Sequence, residues 1–168
     1  MARTMDVRRE GLAVGLIASL SVAVFYAAFD ILAARGGLYT INLLGKTLFR
    51  GVRDPAIIQL PVPRDVAAML AYTGVHLVLS LAIGLIVTRL IVQAERRPEQ
   101  ALPMLFVIVG GFFITVLAVG FLTAPMRPLL PWWSIVVANV LAVLLAGSYL
   151  LARHPGLWRR FAPHGSRG

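Results

Sequence analysis

His76 and Asp30 are the residues best placed for chemistry in this chain, because each interrupts a long apolar run. A neutral imidazole inside hydrocarbon can ligate a haem iron or the magnesium of a (bacterio)chlorophyll, or hydrogen-bond a quinone. An ionisable carboxylate in the same setting is a functional candidate by default, in a proton path for example. Each also has a plainer reading. A haem held by two axial ligands needs a second histidine or a buried methionine pair at that depth, and neither is evident. His76 is therefore expected to hydrogen-bond Asn139, which falls at similar depth in a later apolar block. Asp30 lies near the outer end of its block and is expected to pair with Arg35, Arg64 or Arg127. Asp30, Asn139 and Arg127 are thus read as structural polar groups, and His76 as the one candidate cofactor ligand.

Other chemistry has less to work with. The chain has no cysteine, which removes thiolate nucleophiles, iron–sulfur clusters and disulfides. It contains neither a lysine-bearing glycine-rich phosphate loop nor a histidine–glutamate metal motif. Ser80 and His76 share a helix face at i, i+4, but no third group completes a nucleophilic site. His154 and His164 fall in a basic C-terminal segment and read as solvated surface. No catalytic residue and no metal site is expected, and the chain reads as a non-enzyme.

The elements that would position these residues are four apolar blocks, at 12–34, 66–92, 102–124 and 132–152. A helix crosses about 30 Å of hydrocarbon in about 20 residues, and every block reaches that length. With 59% hydrophobic and 14% charged residues, the composition lies outside the soluble range. The blocks lack the alternation of a membrane β-barrel strand. The expectation is an all-α integral membrane four-helix bundle, one membrane domain over 1–168. The first block follows Arg8 and Arg9, but it exceeds the core of a secretory signal and precedes no small-residue cleavage site, so it reads as retained.

Between the first two blocks, 38–50 has helical spacing. Leu38, Ile41, Leu44, Leu48 and Phe49 share one face, while Asn42, Lys46, Thr47 and Arg50 share the other; Tyr39 and Leu43 break the pattern. This predicts a short amphipathic helix, either flat in the headgroup region or folded back over the bundle. Asp54-Pro55 and Pro61-Val62-Pro63 then predict an extended return. Pro98 stops the second block from continuing, and Pro125, Pro128 and Pro131 lead into an interfacial Trp132-Trp133 pair.

The formal charge is +9, yet the basic residues sit at block edges, which points to anionic lipids and not to nucleic acid. With the N-terminus inside, the inner side carries Arg3, Arg8, Arg9, Arg89, Arg96, Arg97, Arg153, Arg159, Arg160 and Arg167, and the outer side Arg35, Lys46, Arg50, Arg53, Arg64 and Arg127. This excess predicts both termini, including the basic tail 153–168, on the cytoplasmic side. The Pro131-Trp132-Trp133 entry to a last block ending Ala152-Arg153-His154-Pro155 looks bacterial in style, so the expected membrane is a bacterial inner membrane.

Helices in lipid associate through small residues. Gly11, Gly15, Ser19, Ala23 and Ala27 make one row at four-residue spacing, and Ser134, Ala138, Ala142 and Ala146 a second. Both rows are expected to be packing ridges. The second block adds a mildly polar stripe of His76, Ser80, Gly84 and Thr88. The leading functional expectation is a non-catalytic accessory subunit of a larger bacterial membrane complex, in a respiratory or photosynthetic electron-transport assembly, with other integral membrane subunits as partners. The alternatives are a tetrapyrrole- or quinone-binding protein using His76, and a small transporter or channel component.

Overall fold

The computed structural model describes residues 2–55 and 62–155. Among these, five α-helices carry the chain and no strand occurs: α1 (Ala2–Leu32), α2 (Tyr39–Phe49), α3 (Val66–Arg96), α4 (Ala101–Leu122) and α5 (Trp132–Arg153). Single 3-10 turns at Pro98–Gln100 and Ala124–Met126 precede α4 and follow it. Pro61, His164 and most of the basic tail lie outside the described residues. Helices α1, α3, α4 and α5 are each long and apolar enough to cross a membrane. The protein is an all-α bundle of the multi-pass membrane kind.

The helices overrun the apolar blocks where polar sequence still favours helix. At 31 residues each, α1 and α3 span about 46 Å, more than the hydrocarbon requires, so their polar ends project past it. Helix α1 ends at Leu32, where Ala34 turns left-handed (φ 54°) and the Arg35 N–H bonds the Asp30 carbonyl at 2.9 Å. The Asp65 carboxylate starts α3 by accepting from the Ala68 N–H at 3.0 Å. Pro103 is tolerated in α4 because it falls in the first turn.

Helix α1 packs along α3 and α5, while α4 leans on α3 and α5 from the far side. The chain runs up and down. Glu10, Glu95 and His154 meet at one end, hereafter the terminal end. Asp30, α2 and the start of α5 meet at the other. The α1–α3 seam is the closest approach: a Cβ at Gly15 would sit 2.5 Å from the Ser80 carbonyl oxygen, and one at Gly84 would strike the backbones of Gly15 and Gly11. Small residues permit this contact, which is what holds helices together where apolar burial offers no gain over lipid.

Helix α2 folds back onto the bundle. A Cβ at Gly45 would lie 2.6 Å from the Ala68 carbonyl oxygen of α3. Its buried face differs from the expected one. Thr40, Asn42, Leu43, Leu44 and Gly45 are buried, whereas Leu38, Leu48 and Phe49 are exposed. Tyr39 and Leu43, which spoil the apolar stripe, pack with Leu44 against Met126, Leu130 and Ile135. The face is set by hydrogen bonds at Thr40 and Asn42, and these turn the helix away from its most apolar side.

Candidate functional site

The most densely built polar site is at the terminal end. His154, just past the last turn of α5, has Nε2 at 2.9 Å from Glu10 Oε1 of α1 and Nδ1 at 2.9 Å from Glu95 Oε2 of α3. The imidazole is largely buried, and Glu10 is almost as enclosed. Arg153 lies over the Tyr149 ring at 5.7 Å and is close enough to feel the charges of Glu10 and Asp6. The solvated-surface reading of His154 is corrected: the ring joins three helix ends. A signal for this was present in the chain. The row Ser134, Ala138, Ala142 and Ala146, all buried, continues in the same steps through the buried Leu150 to His154. Glu10 directly precedes the first packing glycine of α1. Glu95 lies three turns beyond Gly84, on the same face of α3.

A second site closes the opposite end. Asp30 is 1% exposed, and both carboxylate oxygens are used: Oδ2 accepts from the Thr40 N–H and Oδ1 from the Thr40 hydroxyl, each at 2.7 Å. The first N–H groups of a helix lack intrahelical partners, and its N-terminus favours negative charge. Asp30 therefore caps α2 from a neighbouring helix. The arginine pairing expected for it is not formed. Arg35 instead donates to the Leu129 carbonyl at 2.9 Å and lies over Tyr39, while Arg127 is exposed and lies over Trp132 at 5.8 Å.

Asn42 continues this closure, donating to the Pro63 carbonyl and accepting from the Asp65 N–H. Arg50 Nε donates to Asp65 at 2.8 Å. That bond and, after it, the bond from the Ala68 N–H hold the Asp65 carboxyl down to about 2.

His76 stands apart from both sites. It stacks on Tyr72, one turn earlier, at 6.1 Å and 12°. Its ring comes close enough to the Ser19 backbone of α1 for a weak hydrogen bond, while its buried Nε2 makes none of good geometry among the described residues. Asn139 does not reach it; the Asn139 amide donates at 2.8 Å to the Ile135 carbonyl on its own helix, a local bond always available to such a side chain. Thr88, fully buried one turn past Gly84, likewise has an unpartnered Oγ1.

The packing rows divide. Gly11, Gly15 and Ser19 are buried, Ala27 is half-buried, and Ala23 is exposed, which corrects its place in the ridge. At about 3.6 residues per turn a four-residue step overshoots by about 40°. The α1 row therefore winds off the contact, and burial passes to Tyr26 and Asp30. The α5 row winds equally but changes neighbours as it goes. Ser134 meets Tyr26 at 3.5 Å, whereas Ala146 joins Val14 and Leu150 in a cluster that Val87 and Ile91 pack against. Set against protein-family models, curated proteins and solved structures, the chain matches none.

Proposed function

We propose that this chain is a non-catalytic structural subunit of a larger membrane assembly and that it docks through α4. The observation that carries this reading is a glycine notch. A Cβ added at Gly110 or Gly111 would meet nothing within 4 Å, and the exposed Phe106, Phe113 and Ile114 frame the gap. Glycine in a helix costs about 1 kcal/mol relative to alanine. At Gly11, Gly15, Gly45, Gly84 and Gly120 close contact with a neighbouring element accompanies that cost. Gly74 of α3 and Gly147 of α5 also face open space, but only on α4 do two such glycines adjoin, and a helix of a partner subunit laid into that notch would supply the missing contact. The best-built polar groups also serve structure: Asp30 caps a helix and His154 joins helix ends.

Ten basic residues on one side against six on the other support an orientation with both termini cytoplasmic, and the basic edges suit anionic lipids. Native purification from the source membrane tests the reading. Wild-type protein should migrate within a larger complex that Gly111→Leu disrupts while the isolated chain stays folded. Migration alone, with every membrane complex intact after deletion of the chain, would overturn it.

A second reading, a tetrapyrrole or quinone contact, is favoured by one observation, the unpartnered Nε2 of His76. A chromophore band in the purified protein, or an extractable quinone, lost on His76→Ala would support it; their absence from the wild type would end it. A transporter reading is weakened by the α1–α3 seam. Backbone meets backbone there, between His76 and the terminal end, and leaves that interface no aqueous path.

A further inference from the structure

We propose that Glu10, His154 and Glu95 form a proton-holding latch that clamps the terminal ends of α1, α3 and α5 together and opens as the pH rises. The argument is a count of protons. Both ring nitrogens of His154 lie 2.9 Å from a carboxylate oxygen. Ionised carboxylates only accept, and a neutral imidazole offers a single N–H. With the ring neutral and both glutamates ionised, one nitrogen lone pair would face a carboxylate oxygen across a hydrogen-bond distance. The closed arrangement therefore holds one extra proton, on the ring or on one carboxyl group. Separated and hydrated, the same groups release that proton once the pH passes the ordinary imidazole range. The sign follows: between the carboxylate and imidazole ranges the clamp is present, and it is lost on the alkaline side.

Among the described residues, the surrounding charges leave this count unchanged. On α1 the neighbours are Asp6 and the exposed Arg8 and Arg9; on α3, the exposed Arg96 follows Glu95. On α5, Arg153 lies over Tyr149 and faces Glu10 and Asp6. From the turn before α4, Glu99 is exposed and Gln100 accepts from Gln93. None of these is hydrogen-bonded to the His154 ring, both of whose nitrogens are already engaged.

The absence of cysteine makes the test direct. Spin labels at Arg9→Cys and Ala152→Cys report the α1–α5 separation at the terminal end; labels at Leu32→Cys and Arg127→Cys, all exposed positions, report the opposite end. The full chain in lipid nanodiscs is measured from about pH 6 to about pH 9, which brackets imidazole titration. The expected result is loss of the narrow distance peak at the terminal end alone. The deciding variant is Glu95→Gln. Its amide can donate to Nδ1 while Nε2–H donates to Glu10, so a neutral ring satisfies the cluster and the peak should stay narrow at the alkaline limit. A purely structural ion pair predicts the reverse, a looser end at every pH. The proposal is overturned by a wild-type peak that ignores pH, by equal broadening at both ends, or by a Glu95→Gln protein that broadens as the wild type does.

Discussion

The two ends of this bundle are tied by carboxylates used in different ways. At the α2 end, Asp30 and Asp65 accept chiefly from backbone N–H groups, a hydroxyl and an arginine, none of which titrates near neutral pH. At the terminal end, Glu10 and Glu95 are bridged by both ring nitrogens of one histidine, so the closed cluster must hold an extra proton. A carboxylate paired with fixed donors makes a clamp that only acid opens. The same group paired with imidazole makes one that, on the proton count proposed above, alkali opens as well. The difference lies in the partner and not in the acid.

The largest expected effect tests the seam that brings the terminal ends within reach of each other. Gly84→Leu would drive a side chain into the backbones of Gly15 and Gly11, and overpacking of that kind should destabilise by about 3 kcal/mol or more. Unfolding in mixed detergent micelles measures this. Gly110→Leu, placed in open space, should not lower the same curve and should raise it slightly.

Next in size is Asp30→Ala, which strands the N–H and hydroxyl of the buried Thr40 and should cost about 2 kcal/mol. Faster proteolysis between α1 and α3, with the terminal-end spin-label distance unchanged, would show that the two clamps are independent. Coupled loss at both ends would break the comparison.

Acid titration sharpens it further. The Asp65 carboxyl, held down to about 2, contributes stability that is complete above the ordinary aspartate range and lost as the pH falls through about 2. Amide exchange at Ala68 should thus stay slow through about pH 4 in the wild type. In Arg50→Ala it should accelerate near that pH, because the leading cause of the depression is gone. The smallest effect is expected for Arg127→Ala. Its exposed contact with Trp132 should contribute about 0.5 kcal/mol, read as a slight drop in the thermal midpoint.

How much was legible in the chain varies by element. The four crossings followed from block length, because a bilayer imposes one dimension on every segment that spans it. The Gly11–Gly15–Ser19 and Ser134–Ala146 rows were visible as spacing. Where the α1 row leaves the interface was not, since it depends on how two helices cross. The face of α2 was misjudged because an apolar stripe was counted without knowing that Asp30 and Pro63 wait for Thr40 and Asn42. His154 was assigned to solvent because its neighbours in sequence are basic, while its neighbours in space are acidic.

Composition and periodicity alone determined that this protein is helical, apolar and threaded through lipid, because those properties are summed residue by residue along the chain. Which polar groups meet was decided only by tertiary structure. A hydrogen bond needs two atoms within about 3 Å, and residues 10, 95 and 154 come that close only after three helices have packed.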